Sequence, residues 1–355
     1  MVSKKKPTIQ FPPLAKVPGL TFRHFTDESD YEIILDLWLR NREFSAYDWY
    51  ATMEDILMDQ QWRKNYDPHE QLIIVELNQV PIGYLIYNWS LSNNPRTYTL
   101  IINMNVLGEY WNGPVVQLVL AYAEKQLSGM VNFIPQDAPH CFELKVKQKN
   151  HIQMEFFQRN GYHPERYFIT MARPTNAPLD DYPMPEGLEI RPVTSQDYRK
   201  VWDAHIEAFK DHWGFEQRGD AQYEAWINDS WFQPHLWKVA WDGDQVAGRV
   251  GNYYSQEEND AFQRKRGYTE SISVGRRWRG RGLAKALIAE SIHMFRGMGM
   301  EETALGVDVA SPTGALNLYR GLGYQEVEDK TSIIFRKNLN GEEDDTTEDN
   351  GKTII

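Results

Sequence analysis

The chain has a single cysteine, Cys141, so no disulfide can close within it. With Pro139, His140 and Phe142 around it on a β-patterned segment, that residue reads as a buried structural thiol, not a nucleophile. No run approaches the roughly 18 apolar residues that a membrane-spanning helix needs. Met1-Val2-Ser3-Lys4-Lys5-Lys6-Pro7 is basic, but no apolar segment follows, which gives no secretory signal and makes a cytoplasmic protein the expectation. Positive charge is also scarce: 38 Lys and Arg stand against 50 Asp and Glu, a net charge of −12. A nucleic-acid surface would need a basic footprint, so no nucleic-acid partner is expected. Part of the acidic excess is concentrated in Gly341 to Asn350, a solvated tail almost without apolar residues. What is present is 355 residues with 41% hydrophobic content, enough for two cores.

The most informative stretch is Ser273-Val274-Gly275-Arg276-Arg277-Trp278-Arg279-Gly280-Arg281-Gly282-Leu283-Ala284. A β-patterned run, Tyr268 to Val274, breaks into a glycine-interrupted basic loop and then opens a helix over about Leu283 to Arg296. Glycines at 280 and 282 let successive N–H groups converge, and the helix aims its positive end at the same point, where an anion belongs. Spacing separates the possible nucleotide sites. A dinucleotide fingerprint needs a small residue at 285, which is Lys, and a triphosphate loop needs Gly-Lys-Ser/Thr, whereas Leu283 and Ala284 follow Gly282. Hydride transfer on a dinucleotide is therefore disfavoured.

Arg279, Gly282 and Ala284 form an Arg-x-x-Gly-x-Ala pattern that resembles the acyl-coenzyme A loop of the GCN5-related N-acetyltransferases. Downstream, a strand over Thr303 to Asp308 precedes Ser311-Pro312-Thr313-Gly314-Ala315-Leu316-Asn317-Leu318-Tyr319-Arg320-Gly321-Leu322-Gly323-Tyr324, similar to the family's second signature. Ser311 stands where the family often has Asn. The resemblance implies acetyl-coenzyme A as co-substrate and no metal. It also implies a coenzyme site at Ile272, Val274, Arg279, Gly280, Arg281, Gly282, Leu283, Ala284 and Ser311.

The chain carries the same pattern twice. Leu20, Gly83 and Gly161 recur as Leu188, Gly248 and Gly323 in matching segments, at offsets of 168, 165 and 162 residues. The proline-rich stretch from Arg173 to Pro185 reads as a linker. Expected boundaries are an N-terminal tail at 1–18, a degenerate acetyltransferase-like domain at 19–173, a linker at 174–186, a catalytic domain at 187–339 and an acidic tail at 340–355. The fold class is mixed α/β: two tandem acetyltransferase-type domains, each a central, mostly antiparallel sheet flanked by helices. A tandem pair with the second site intact resembles the mycothiol synthases, and only that architecture carries over, because nothing in the residues identifies their sugar thiol. Aligned on Val106 and Val274, the first half has Trp111 in place of Arg279, Pro114 in place of Gly282 and an acidic Glu109. Proline offers no N–H, so one coenzyme per chain is expected.

The resemblance makes Tyr319 the general acid, the alternative being a core aromatic at a helix end. Glu270, on the same strand and face as Ile272 and Val274 by alternation, is the candidate base; the alternative is a solvent-facing strand residue or a salt-bridge partner for Arg264 or Arg266. Asp211, His212, Trp213 and Tyr253 are the candidates for the substrate side, with Asp211 recognising a cation and Trp213 stacking on it; a loop packed by its own aromatics explains the same residues without any ligand. The function implied is acetyl transfer to a primary amine of a small molecule by a monomer or homodimer. The rival is a non-catalytic acyl-coenzyme A sensor.

Overall fold

A computed structural model of the chain describes residues 17–46 and 50–339. Apart from residues 17 and 18, the two tails expected from the sequence lie outside the described residues. The first half runs β1 (Leu20–His24), α1 (Ser29–Ser45), α2 (Met53–Trp62), α3 (Pro68–Gln71), β2 (Leu72–Leu77), β3 (Val80–Asn93), β4 (Arg96–Val106), α4 (Pro114–Met130), β5 (His140–Lys147), α5 (His151–Arg159) and β6 (His163–Pro174). The second runs β7 (Glu189–Ile190), α6 (Tyr198–Phe209), α7 (Asp220–Ile227), β8 (Lys238–Asp242), β9 (Gln245–Tyr253), α8 (Gln256–Ala261), β10 (Arg266–Val274), α9 (Leu283–Gly297), β11 (Glu302–Asp308), α10 (Ala315–Gly321), β12 (Gln325–Glu326) and β13 (Ser332–Asn338). Apart from α3 in the first half and α8 and β12 in the second, the two halves share one element order.

Local chemistry accounts for these elements. Leu72-Ile73-Ile74-Val75 is apolar and largely β-branched, and all four residues are fully buried, as in a strand covered on both faces. Asp242-Gly243-Asp244 closes the β8–β9 hairpin, with Gly243 at φ 58° supplying the left-handed turn conformation. Helix α9 buries Leu283, Leu287, Ile288 and Ile292 at helical spacing against the second core.

One continuous sheet crosses both halves, in the order β1-β2-β3-β4-β5-β13-β6-β11-β10-β9-β8-β7. Its centre is an exchange of final strands. β6, the last strand of the first half, pairs antiparallel along the whole of β11, from Phe168↔Asp308 to Pro174↔Glu302. β13, the last strand of the second half, pairs with β5 from Ser332↔Lys147 to Asn338↔Cys141. Side chains follow: Ile333 and Phe335 of β13 sit in the first half's core, and Ile169 and Met171 of β6 sit in the second's. Arg173, 1% exposed, locks the crossover by donating to the Leu322, Ala177 and Pro178 carbonyls. The stretch after β6 thus joins two segments whose cores each close with a strand of the other.

Candidate active site

Past Val274 the chain makes a short 3-10 turn, Arg276–Trp278, and then the glycine loop. Gly280 and Gly282 take φ of 75° and 87°, and a Cβ at either would meet nothing within 4 Å, so the loop presents bare backbone. Helix α9 starts at Leu283 with no side chain capping its first turn. Those N–H groups lack an intrahelical partner. They border a cavity of about 760 Å³ lined by Gly280, Gly282, Ala284, Lys285, Leu318 and Tyr319. An anion at its mouth would complete their hydrogen bonding.

The arginines of the loop hold its shape. Arg279 Nε donates to the Val274 carbonyl at 3.0 Å, its Nη2 to the Ala208 carbonyl at 2.9 Å and its Nη1 to Asp211 at 2.8 Å. Arg276 reaches the same carboxylate at 2.5 Å, and Arg281 donates to the Glu186 carbonyl at 2.7 Å. The two guanidinium partners hold Asp211 well below the usual carboxylate range. The cation-recognition role expected of Asp211 is therefore replaced by a clamp between the loop and the end of α6. Trp213 likewise does not await a ligand cation: Arg336 lies 4.5 Å and Arg166 5.4 Å from its ring centre.

Beyond the loop, β10 and β11 part. Their parallel pairing covers only Arg266↔Glu302 to Tyr268↔Ala304. Ser271, at φ 50°, forms a bulge, and the register with β9 jumps between Glu270 and Ser273. Simple alternation of Glu270, Ile272 and Val274 on one face fails here. Val274 lines the loop-side cavity, Glu270 lines cavities on the other side, and Ile272 borders both. Glu270 Oε1 accepts the Gly306 N–H at 2.7 Å across the gap. Burial pushes this carboxyl up to about 7, with the Gly306 and Ser271 amides opposing the shift. Arg264 pairs with Glu258 and Arg266 with Glu302 at 2.7 Å, so neither uses Glu270.

Tyr319, 8% exposed, lines the loop-side cavity and a second one of about 550 Å³ that also holds Glu270 and Ser311. Desolvation raises its phenol above the ordinary tyrosine value, and the nearby Glu270 charge adds to the shift. His212 stands between the two cavities with its ring stacked 4.2 Å from Phe209, and Ser311 Oγ shares a hydrogen bond with Thr313 Oγ1 at 2.9 Å. Tyr253 lines a third cavity of about 480 Å³, which continues from Glu270 and Gly306 to Asp55, Trp62 and Lys145 of the first half. Burial raises the Tyr253 phenol well above its ordinary value.

The description "Acetyltransferase (GNAT) family" matches residues 198–324. The second half thus matches the GNAT acetyltransferase family over most of its length. Among curated proteins, it is similar to a mycothiol acetyltransferase of Thermobispora bispora, 27% identical over 170 residues covering 43% of this chain and 52% of that protein. One from Salinispora arenicola is 30% identical over 170 residues, covering 46% and 53%. The chain thus spans about half the length of the curated relatives it matches. Among solved structures, a GCN5-related N-acetyltransferase from Sphaerobacter thermophilus superposes with a TM-score of 0.66 at 21% identity, covering 92% of this chain and 98% of that one. A tandem GNAT protein from the clavulanic acid biosynthesis pathway gives 0.63 at 11% identity, covering 90% and 98%. At these identities the likeness is one of fold, and it extends over both halves.

The first half keeps the GNAT frame without the cradle. Trp111, aligned with Arg279, donates its indole N–H to the Val106 carbonyl at 2.8 Å, as Arg279 does to Val274. The carbonyl at the strand end keeps its partner while the charge is gone. The ring, 3% exposed, fills the space beside Phe44, Phe156 and Phe157, and the neighbouring cavity is only about 210 Å³. Pro114 opens α4 where the GNAT domain has a free N–H.

Sequence reasoning missed the groups brought from a distance. Trp62, 167 residues from Asp229, donates to its Oδ2 at 2.9 Å, and Lys64 pairs with Glu216 at 3.1 Å. Gly214 N–H donates to the Asn94 carbonyl at 2.7 Å, docking the loop after α6 onto the first half's β3–β4 hairpin. No motif marks these contacts, because they are set by how the halves pack.

Proposed function

We propose that the chain transfers an acetyl group from acetyl-coenzyme A to the primary amine of a small molecule, at the opening between β10 and β11. The observation that carries this reading is the junction at Glu270 and Tyr319, where the loop-side cavity meets the cavities reaching the first half. The coenzyme's diphosphate lies on the Gly280–Ala284 backbone and the first turn of α9, and its pantetheine arm runs along the bulged edge of β10 near Ile272 and Val274. The thioester then ends beside Tyr319.

The amine arrives protonated and Glu270, with a proton affinity matched to neutral pH, takes the proton directly or through a water. The nitrogen lone pair attacks the thioester carbonyl. Backbone N–H groups around the bulge receive the oxyanion. The tetrahedral intermediate collapses by breaking the carbon–sulfur bond, the departing thiolate takes the Tyr319 proton, and the nitrogen's remaining excess proton passes to the phenolate as the amide forms, while Glu270 releases its proton to solvent. Burial keeps that phenol protonated at neutral pH, the state that can donate. The first half serves as the far wall of the acceptor cavity and holds the loop after α6.

Release of free coenzyme A with a panel of amines, for the native protein and for Tyr319→Phe, tests the assignment. Amine-dependent release that Tyr319→Phe slows supports it. Tight acyl-coenzyme A binding with no release for any amine supports the sensor reading instead.

A further inference from the structure

Arg249, on β9, is a buried charge without a partner. It is 3% exposed, and its Nε and Nη1 are both shielded from solvent with no hydrogen-bond acceptor. Its guanidinium lies beside a stacked pair of indoles, 4.7 Å from the Trp237 ring centre and 5.2 Å from that of Trp226. These faces attract a cation but accept no directed hydrogen bond from its N–H groups in the ring plane. Burial alone lowers the group to about 9, which leaves it charged at neutral pH. A desolvated, unpaired cation is costly, and proteins retain one where a counter-ion arrives.

The side chain points toward the candidate active site. Gly251 stands opposite Glu270 in the β9–β10 register, and the guanidinium occupies the room its missing side chain leaves: a Cβ there would lie 2.7 Å from Arg249 Nη2 and 3.3 Å from Ser271 Cβ. Arg249, Ser271 and His205 line a cavity of about 200 Å³, and Ser271 and His205 also line the cavity that contains Glu270 and Tyr319. Burial lowers the His205 imidazole well below its ordinary value, so it is neutral, and its Nδ1 also has no partner. Arg218 stands at the rim, 5.3 Å from the Trp62 ring centre. The lining carboxylate, Asp229, already accepts from the Trp62 indole and from the Trp231 N–H at 2.9 Å each.

We infer that Arg249 is the anchor of a carboxylate subsite, and that the acyl acceptor is a short amino acid whose carboxylate pairs with Arg249 while its amine faces Glu270. A monoanionic carboxylate suits a planar guanidinium in a small aromatic-walled space; a phosphate dianion would meet stronger repulsion from Asp229, which lines the same space. The inference rests on the acetyl-transfer reading for the amine, but the anion site stands on the geometry of Arg249 alone.

Two measurements on the full chain test it separately. In thermal shift, propionate and butyrate raise the Tm of the native protein, the matching alcohols do not, and Arg249→Met, which keeps the length of the stem, loses the response. In coenzyme A release, short amino acids outpace the corresponding amines without a carboxylate, and Arg249→Met reduces that preference by about 10²-fold. Arg249→Lys, which retains charge without the fork, recovers part of both. A carboxylate shift that depends on Arg249, with no transfer to any amine, supports the subsite and overturns the acetyl-transfer reading. Transfer that ignores the carboxylate, or an equal Tm response in the native and Met proteins, overturns the subsite and leaves the acetyl-transfer reading standing.

Discussion

Glu270 and Gly306 face each other across the gap between β10 and β11, with the carboxylate accepting the backbone N–H at 2.7 Å where regular strand pairing has ended two residues earlier on β10. The Gly306 and Ser271 amides are not enough to offset the desolvation of that carboxyl, which stays pushed up to about 7. If Glu270 takes the proton from the amine, kcat/KM rises with pH through about 7, and Glu270→Gln removes that limb. A profile unchanged by the substitution excludes Glu270 as the base.

The same shift has a signed effect on stability. Because the folded pKa lies above the ordinary value of 4.5, folding binds a proton between about 4.5 and 7. The protein therefore loses stability from this group as pH rises through that window. Glu270→Gln, which cannot ionise, should raise Tm more at pH 8 than at pH 5, by differential scanning calorimetry at both values. An equal shift at the two values contradicts the buried-carboxyl assignment.

The exchanged strands make a thermodynamic prediction. Ile333 and Phe335 complete the first half's core, and Ile169 and Met171 the second's, so neither segment closes its core without the other. Heating should give one cooperative transition, and residues 17–186 and 187–339 expressed separately should be unfolded alone but associate when refolded together. Two resolved transitions, or a well-folded single half, would contradict the interlock.

The glycine cradle makes another. Gly282→Pro removes an N–H at the helix start and cannot adopt φ 87°, so it should abolish acetyl-coenzyme A binding in calorimetry while far-ultraviolet circular dichroism stays native. The native chain should bind one coenzyme. A second site of similar affinity would mean that Trp111 and Pro114 do not close the first half.

Much of this was legible in the residues. Gly280, Gly282 and the helix after them were readable because backbone requirements leave a local signature, and the internal repeat followed from Leu20 and Leu188, Gly83 and Gly248, Gly161 and Gly323. The strand exchange was not, since β6 and β13 have the same apolar pattern whichever core receives them. The bulge at Ser271 was also invisible: a non-glycine at φ 50° is imposed by its surroundings, and it moved Glu270 off the face that alternation assigned to it. Asp211 and Trp213 looked ready for a ligand cation because their actual cations, Arg276, Arg279, Arg166 and Arg336, come from other parts of the chain.

Whether Tyr319 protonates the thiolate leaving a tetrahedral intermediate is tested most directly by single-turnover acetyl transfer with native and Tyr319→Phe protein, acetyl-coenzyme A affinity being measured on the same samples. Amide and free thiol should form in equal amounts, the rate should fall by about 10²-fold or more in Tyr319→Phe, and the coenzyme Kd should stay within about a factor of three. An unchanged rate in Tyr319→Phe, or a loss confined to coenzyme affinity, would contradict that role for Tyr319.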